Sequence, residues 1–129
     1  MLLKRAIKAI ARQHGLVACF MAKPFAEESG SGLHVHMSLV DQDGNNYFSQ
    51  NNDKLSQPPY SEKLRYAIGG LKETMSAATA IFAPNANSYR RLRPEMFAPV
   101  EPNWGANHRN VSLRIPVSDA KNLRFEHRV

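Results

Sequence analysis

The sequence predicts an α+β domain, a mainly antiparallel sheet with two principal helices covering its apolar face. Two stretches with helical spacing of apolar residues and three stretches of alternating apolar and polar residues support this fold class. The chain has 129 residues, which fits one domain. Hydrophobic residues make up 43% and charged residues 22% of it, and this composition excludes a disordered or collagen-like chain.

The first helix is predicted over residues 2–14, where Leu3, Ile7 and Ile10 share one face. Gly15 then provides a helix stop. Lysines and arginines interrupt this apolar N-terminus, so the sequence excludes a signal peptide and a membrane span.

Residues 17–22 are apolar and predict a short buried strand that ends before Pro24. The single cysteine, Cys19, lies in this run, so no internal disulfide is possible. We interpret Cys19 as a small buried hydrophobe, typical of a protein in the reducing cytoplasm.

A strand over residues 33–39 is followed by a turn at 41–45, which predicts a hairpin to 46–48. The polar residues 49–60 predict a surface loop.

Ser61 is placed to cap a second helix. Its buried stripe is predicted from helical spacing and consists of Leu64, Ile68, Leu71, Met75, Thr79 and Phe82. Residues 83–110 show little periodicity and predict a long loop or disorder. Two strands are then expected near 111–117 and 123–129.

Alternation in these strands places apolar side chains on one face of the sheet. The other face collects ionisable side chains, namely His34, His36, Arg114, Arg124, Glu126 and Arg128. For any one strand a solvated outer face is the simpler interpretation, but histidine and arginine without lysine argue against it. An imidazole beside Glu126 is a partial site for a divalent cation, or Glu126 is an ion-pair partner of the neighbouring arginines.

Net charge is +6, and seven of the ten arginines follow residue 89. Arginine clusters favour bidentate recognition of carboxylate or phosphate. The turn at 29–32 is either an anion-binding turn or a plain one. A nucleic-acid surface built on Arg90, Arg91 and Arg93 is the weaker alternative, because no DNA- or RNA-binding motif accompanies them.

Residues 23–39 contain Gly30-Ser31-Gly32-Leu33-His34-Val35-His36-Met37-Ser38-Leu39 and resemble the ATP-binding signature of the glutamine synthetase family. Later blocks at 83–92, 98–100, 109–116 and 124–128 are similar to its catalytic domain in order and spacing.

The resemblance implies an ATP-dependent ligase that phosphorylates the γ-carboxylate of glutamate and lets an amine displace the phosphate. ATP and Mg, or Mn, would be its cofactors. It implies the metal ligands His34 and Glu126. It implies substrate binding by Gly30, Arg91, Arg109 and Arg128, of which Arg109 and Arg128 would be catalytic. It implies nucleotide binding by His36, Ser38, Arg109, Arg114, Lys121 and Arg124.

Phe97 departs from the family pattern, because enzymes that use ammonia carry a glutamate there. Together with the residues present in several blocks, this makes the chain similar to γ-glutamylpolyamine synthetases. It predicts a polyamine such as putrescine as acceptor. The alternatives are a glutamine synthetase that uses ammonia and a catalytically silent binding or structural module.

The resemblance also implies that residues 1–129 are a partial catalytic (C-terminal) domain, without the N-terminal β-grasp domain and the upstream metal carboxylates. The chain alone is therefore expected to be inactive. The full protein is expected to be a cytoplasmic homo-oligomer, a dodecamer in this family, with no nucleic-acid or membrane partner.

Overall fold

The computed structural model describes residues 1–49, 60–94 and 98–129 and confirms the α+β class. Three helices and four strands form in these ranges: α1 Leu2–Gln13, β1 His34–Met37, α2 Glu62–Phe82, α3 Ala86–Tyr89, β2 Trp104–Ala106, β3 Leu113–Ile115 and β4 Phe125–Arg128. The strand order is β1-β4-β3-β2. The β1–β4 and β4–β3 pairs are antiparallel and the β3–β2 pair is parallel. Residues 50–59 of the loop predicted over 49–60, and Phe97, lie outside the described residues.

Helix α2 covers the apolar face of the sheet, as predicted. It begins where the Ser61 hydroxyl accepts a hydrogen bond from the Leu64 amide at 3.2 Å, which satisfies one of the unpaired donors of the first turn. Leu64 and Ile68 are buried. They pack in a core cluster with Phe48, Leu113, Ile115 and Phe125. The sheet is thereby fixed on one side by a single helix.

Helix α1 forms as predicted but does not cover the sheet, so this part of the expected architecture is wrong. None of its side chains is buried, and Leu3 is 73% exposed. The physical reason is that helical periodicity fixes which face is apolar, whereas burial needs an opposing surface. In the described ranges no element supplies one for α1.

The strand predicted over 17–22 does not form, and Cys19 is exposed rather than buried. Val17 is 93% exposed. An apolar run becomes a strand only when a partner pairs with its backbone. Here the Ala22 carbonyl instead accepts a hydrogen bond from the Ser31 amide in a contact between two loops.

The region over 83–110 is more ordered than the sequence predicts, since it contains α3 and β2. Trp104 of β2 packs edge-on against Tyr60 with ring centroids 6.5 Å apart. The hairpin after β1 reduces to one bridge between Val40 and Asn46 around the expected turn. No helix in the described part of the chain is long and apolar enough to cross a membrane.

Candidate active site

The strands bring the predicted ionisable residues onto one face of the sheet. Glu126 of β4 lies opposite His36 of β1 and opposite Arg114 of β3, and Arg128 lies opposite His34. Side chains of directly opposed residues share a face. The period-two pattern in the sequence therefore predicted this face correctly.

Glu126 lies at the centre of the cluster, which we call the Glu126 cluster and define as His34, Arg114, Glu126 and Arg128. The carboxylate Oε1 lies 2.7 Å from His34 Nδ1 and accepts a hydrogen bond from an Arg128 guanidinium nitrogen at 2.8 Å. Oε2 accepts one from Arg114 at 2.9 Å. The glutamate side chain is 3% exposed, so the interpretation of a solvated outer face is wrong at this position.

Burial alone would raise the pKa of Glu126, but the hydrogen bond from Arg114 and the charge of Arg128 outweigh it and hold that pKa below its ordinary value. Burial, and then the charge of Arg128, lower the pKa of His34 below 6.5, against the opposing effect of Glu126. At pH 7 a neutral imidazole therefore faces an ionised carboxylate.

This arrangement supplies part of a metal site. An imidazole and a carboxylate are both common ligands of divalent cations, and His34 and Glu126 offer them side by side. Within the described ranges no group of three His, Cys, Asp or Glu side chains comes together as a metal site. The two residues fit one side of a coordination shell, whose other ligands would come from substrate, water or chain beyond these ranges.

A cleft of about 210 Å³ opens beside the cluster, and Gly30, Gly32, His34, Arg91 and Arg128 are among its lining residues. A guanidinium nitrogen of Arg91 donates to the carbonyl of Val129 at 3.1 Å, which fixes the side chain along the cleft.

The turn at 29–32 packs so tightly that its glycines have no room for a side chain. A Cβ on Gly30 would lie 2.6 Å from the Ala22 carbonyl oxygen and 2.8 Å from Arg91 Cγ. Gly30 and Gly32 also line the cleft, so the backbone of the turn forms part of its wall.

The other predicted site residues lie outside the Glu126 cluster. His36 accepts a hydrogen bond from Arg124 Nε at 3.3 Å, so these two residues meet next to the cluster. Ser38, Arg109 and Lys121 are exposed, and no described hydrogen bond or ion pair joins their side chains to the Glu126 cluster.

Sequence reasoning missed Asn107, which adopts a left-handed backbone with φ of 49°. Its Oδ1 accepts a hydrogen bond from Arg114 at 2.7 Å, while its own amide donates to the Ile115 carbonyl at 2.7 Å. Asparagine tolerates this backbone region better than most residues. No local sequence pattern indicates that such a residue orients an arginine on the adjacent strand, seven residues later.

The chain is similar in sequence to known proteins. The family model described as glutamine synthetase, catalytic domain, matches residues 1–129. The chain is 41% identical over 127 residues to the γ-glutamylputrescine synthetase PuuA of Escherichia coli, covering 98% of this chain and 26% of PuuA. It is 45% identical over 128 residues to the glutamine synthetase of Sulfolobus acidocaldarius, covering 95% of this chain and 27% of that protein.

The fold is also similar to that of solved structures. The Plasmodium falciparum glutamine synthetase superposes with a TM-score of 0.82 at 27% identity, covering 98% of this chain and 24% of that one. The chain thus spans about a quarter of the length of the relatives that it matches. On the family match and on identities above 40%, the chain belongs to the glutamine synthetase catalytic-domain family.

Proposed function

We propose that this chain is part of the catalytic domain of a longer ATP-dependent ligase that joins the γ-carboxylate of glutamate to an amine. The observation that carries the proposal is the Glu126 cluster, a buried carboxylate between two guanidinium groups and an imidazole, beside a cleft lined by further arginine and glycine. The γ-carboxylate would attack the terminal phosphorus of ATP and release ADP. The amine would then attack the acyl carbon of the γ-glutamyl phosphate, displace phosphate and lose a proton to give the γ-glutamyl amide.

The chain's own residues act in this reaction mainly through fixed charge. Arg91 and Arg128 line the cleft and would bind the carboxylates of glutamate, with the backbone of Gly30 against the substrate. Arg114 is held by Glu126 and Asn107 and would offer a preorganised guanidinium to a phosphate group. Such donors stabilise charge that develops during phosphoryl transfer without reorganising.

The remaining assignments follow the resemblance. Arg109 would act with Arg128 in catalysis, and His36, Ser38, Lys121 and Arg124 would line the nucleotide. His34 and Glu126 would hold one Mg²⁺ or Mn²⁺ ion, which neutralises phosphate charge when bound.

The acceptor that we propose is a polyamine such as putrescine. Two facts support it: the 41% identity to a γ-glutamylputrescine synthetase, and an apolar Phe97 where ammonia-using enzymes carry a glutamate. An aromatic ring cannot deprotonate ammonium, whereas it can pack against the methylene chain of a diamine.

The experiment measures ADP release by the full-length protein with ATP, Mg²⁺ and glutamate, comparing ammonium, putrescine, spermidine and methylamine. We expect putrescine or spermidine to support the highest kcat/KM. A preference for ammonium would favour the glutamine synthetase alternative, which the match to the Sulfolobus acidocaldarius enzyme supports. A Phe97→Glu variant is the matched probe, and it should shift the preference toward ammonium.

A silent binding or structural module is the alternative from a different class. It predicts that ATP with Mn²⁺ gives the full-length protein no protection against heat, whereas a ligand that binds the folded state raises its apparent stability. We also propose a cytoplasmic homo-oligomer as the working form, and an inactive 129-residue chain when it is produced alone. The molar mass of the full-length protein in solution tests the oligomeric state. ADP release by the 129-residue chain tests whether that chain is inactive alone.

A further inference from the structure

Lys23 is a buried cation at the cleft for which the proposed function names no role. It is 2% exposed and lines the cleft with Gly30, Arg91 and Arg128. Lysine is seldom buried to this extent, because its ammonium group loses hydration unless other groups replace the water. Here Nζ donates a hydrogen bond to the Glu28 carbonyl, so the ammonium occupies a fixed position.

The backbone of Lys23 is held just as firmly by one side chain. The Lys23 amide donates to Asn87 Oδ1 at 2.7 Å, and Asn87 Nδ2 donates to the Lys23 carbonyl at 2.9 Å. The asparagine amide thus pairs with both backbone groups of Lys23, as a neighbouring strand would. Asn87 belongs to α3, and Arg91 lies two residues after the end of that helix. The contact between Asn87 and Lys23 therefore fixes the position of Lys23 relative to Arg91.

The glycine turn at 29–32 is held next to Lys23. Lys23 Nζ donates to the carbonyl of Glu28, the residue just before the turn, and within the turn the Ser31 amide donates to the Ala22 carbonyl at 2.8 Å. The turn also lies against Arg91, whose Cγ would be 2.8 Å from a Cβ on Gly30. Gly30 and Gly32 line the cleft with their backbone atoms and have no side chains that could adjust. A shift of the turn by a few tenths of an ångström would therefore change the shape of the cleft directly.

We propose that Lys23 is a positioning residue for the glycine turn and that it contributes a fixed positive charge to the binding of an anionic substrate in the cleft. The inference rests on the proposed function, in which that substrate is glutamate. It predicts that loss of the Lys23 ammonium weakens glutamate binding much more than ATP binding, because none of the proposed nucleotide residues is among those that line this cleft.

The test uses the full-length protein and its best amine, and it compares Lys23→Met with the matched control Lys72→Met. Lys72 is exposed on α2 and lies outside the cleft. In Lys23→Met we expect the KM for glutamate to rise at least tenfold and the KM for ATP to change less than twofold. Lys23→Arg keeps a cation and a donor and should restore part of the glutamate affinity. The control should match the wild type in both constants.

Two results would overturn the inference: equal rises in both KM values, which indicate a purely structural role, or an unchanged KM for glutamate. If Lys23→Met does not fold, Asn87→Asp provides a second route, since it keeps the acceptor for the Lys23 amide and loses the donor to the Lys23 carbonyl. It should raise the glutamate KM in the same direction, and an unchanged value would contradict the proposal. A wild-type protein that neither releases ADP with any amine nor gains heat stability from glutamate would instead refute the proposed function itself.

Discussion

Replacement of Glu126 by glutamine tests whether the buried cluster holds the sheet together. The carboxylate accepts two hydrogen bonds, both from arginines whose side chains are 17% and 14% exposed, and it lies 2.7 Å from His34 Nδ1. A hydrogen bond to a charged group contributes about 1.5 to 3 kcal/mol, and removal of one partner from a buried ion pair costs about 3 to 5 kcal/mol. Glutamine keeps one acceptor oxygen but turns an NH₂ donor toward a guanidinium. We therefore expect local stability to fall by about 2 to 4 kcal/mol.

Hydrogen exchange of the β4 amides is the suitable assay, because it reports the free energy of local opening even in a large assembly. At about 1.4 kcal/mol per tenfold change, the protection factors of β4 should fall by about 30- to 1,000-fold in Glu126→Gln. Glu73→Gln, an exposed change on α2, should leave them within about threefold. Unchanged or higher protection of β4 in Glu126→Gln would refute the reasoning and would mean that the charges cost as much as they contribute.

Three further predictions concern the core, the turn and the pH dependence. Leu64→Ala should lower the free energy of unfolding in urea by about 2 to 5 kcal/mol, because Leu64 is fully buried. Leu3→Ala on exposed α1 should change it by no more than about 0.5 kcal/mol. Equal losses in the two variants would contradict the assigned core. Gly30→Ala should weaken glutamate binding at least tenfold in titration calorimetry, because its Cβ would lie 2.6 Å from a backbone carbonyl oxygen. Heat protection by ATP should persist. An unchanged affinity for glutamate would show that the turn does not form a tightly packed wall of the glutamate site. Burial lowers the pKa of His127 in the fold, so the unfolded chain binds more protons below pH 6.5 and stability falls on acidification. His127→Phe should therefore show a smaller drop in Tm between pH 7.5 and 5.5, and an identical drop would count against this origin.

Patterns within one segment were sufficient to predict the charged face of the sheet. Alternation over His34 and His36 and around Glu126 fixed which side chains share a side, and the pairing of β1 with β4 then made them neighbours. The hydroxyl of Ser61 likewise predicted the start of α2 from a local rule. Such features depend on the backbone geometry of a few adjacent residues.

Features that depend on distant chain were predicted poorly. Residues 17–22 have the composition of a strand, but no described strand pairs with them, and Cys19 is exposed as a result. Strand β2 was missed because three residues acquire their strand character only from the parallel partner β3. The burial of Glu126 was also missed, since it follows from the arginines and histidine that enclose it on neighbouring strands.

The position of β4 between β1 and β3 has a consequence for synthesis on the ribosome. His36 and Arg124, which meet across this sheet, are separated by 88 positions in the chain. Closing so long a segment is entropically costly and slow compared with forming a helix such as α2. The nascent chain can therefore complete its second helix while β1 still lacks its antiparallel neighbour. We therefore expect the Glu126 cluster to assemble late, and premature termination anywhere upstream of β4 would leave His34 without its carboxylate.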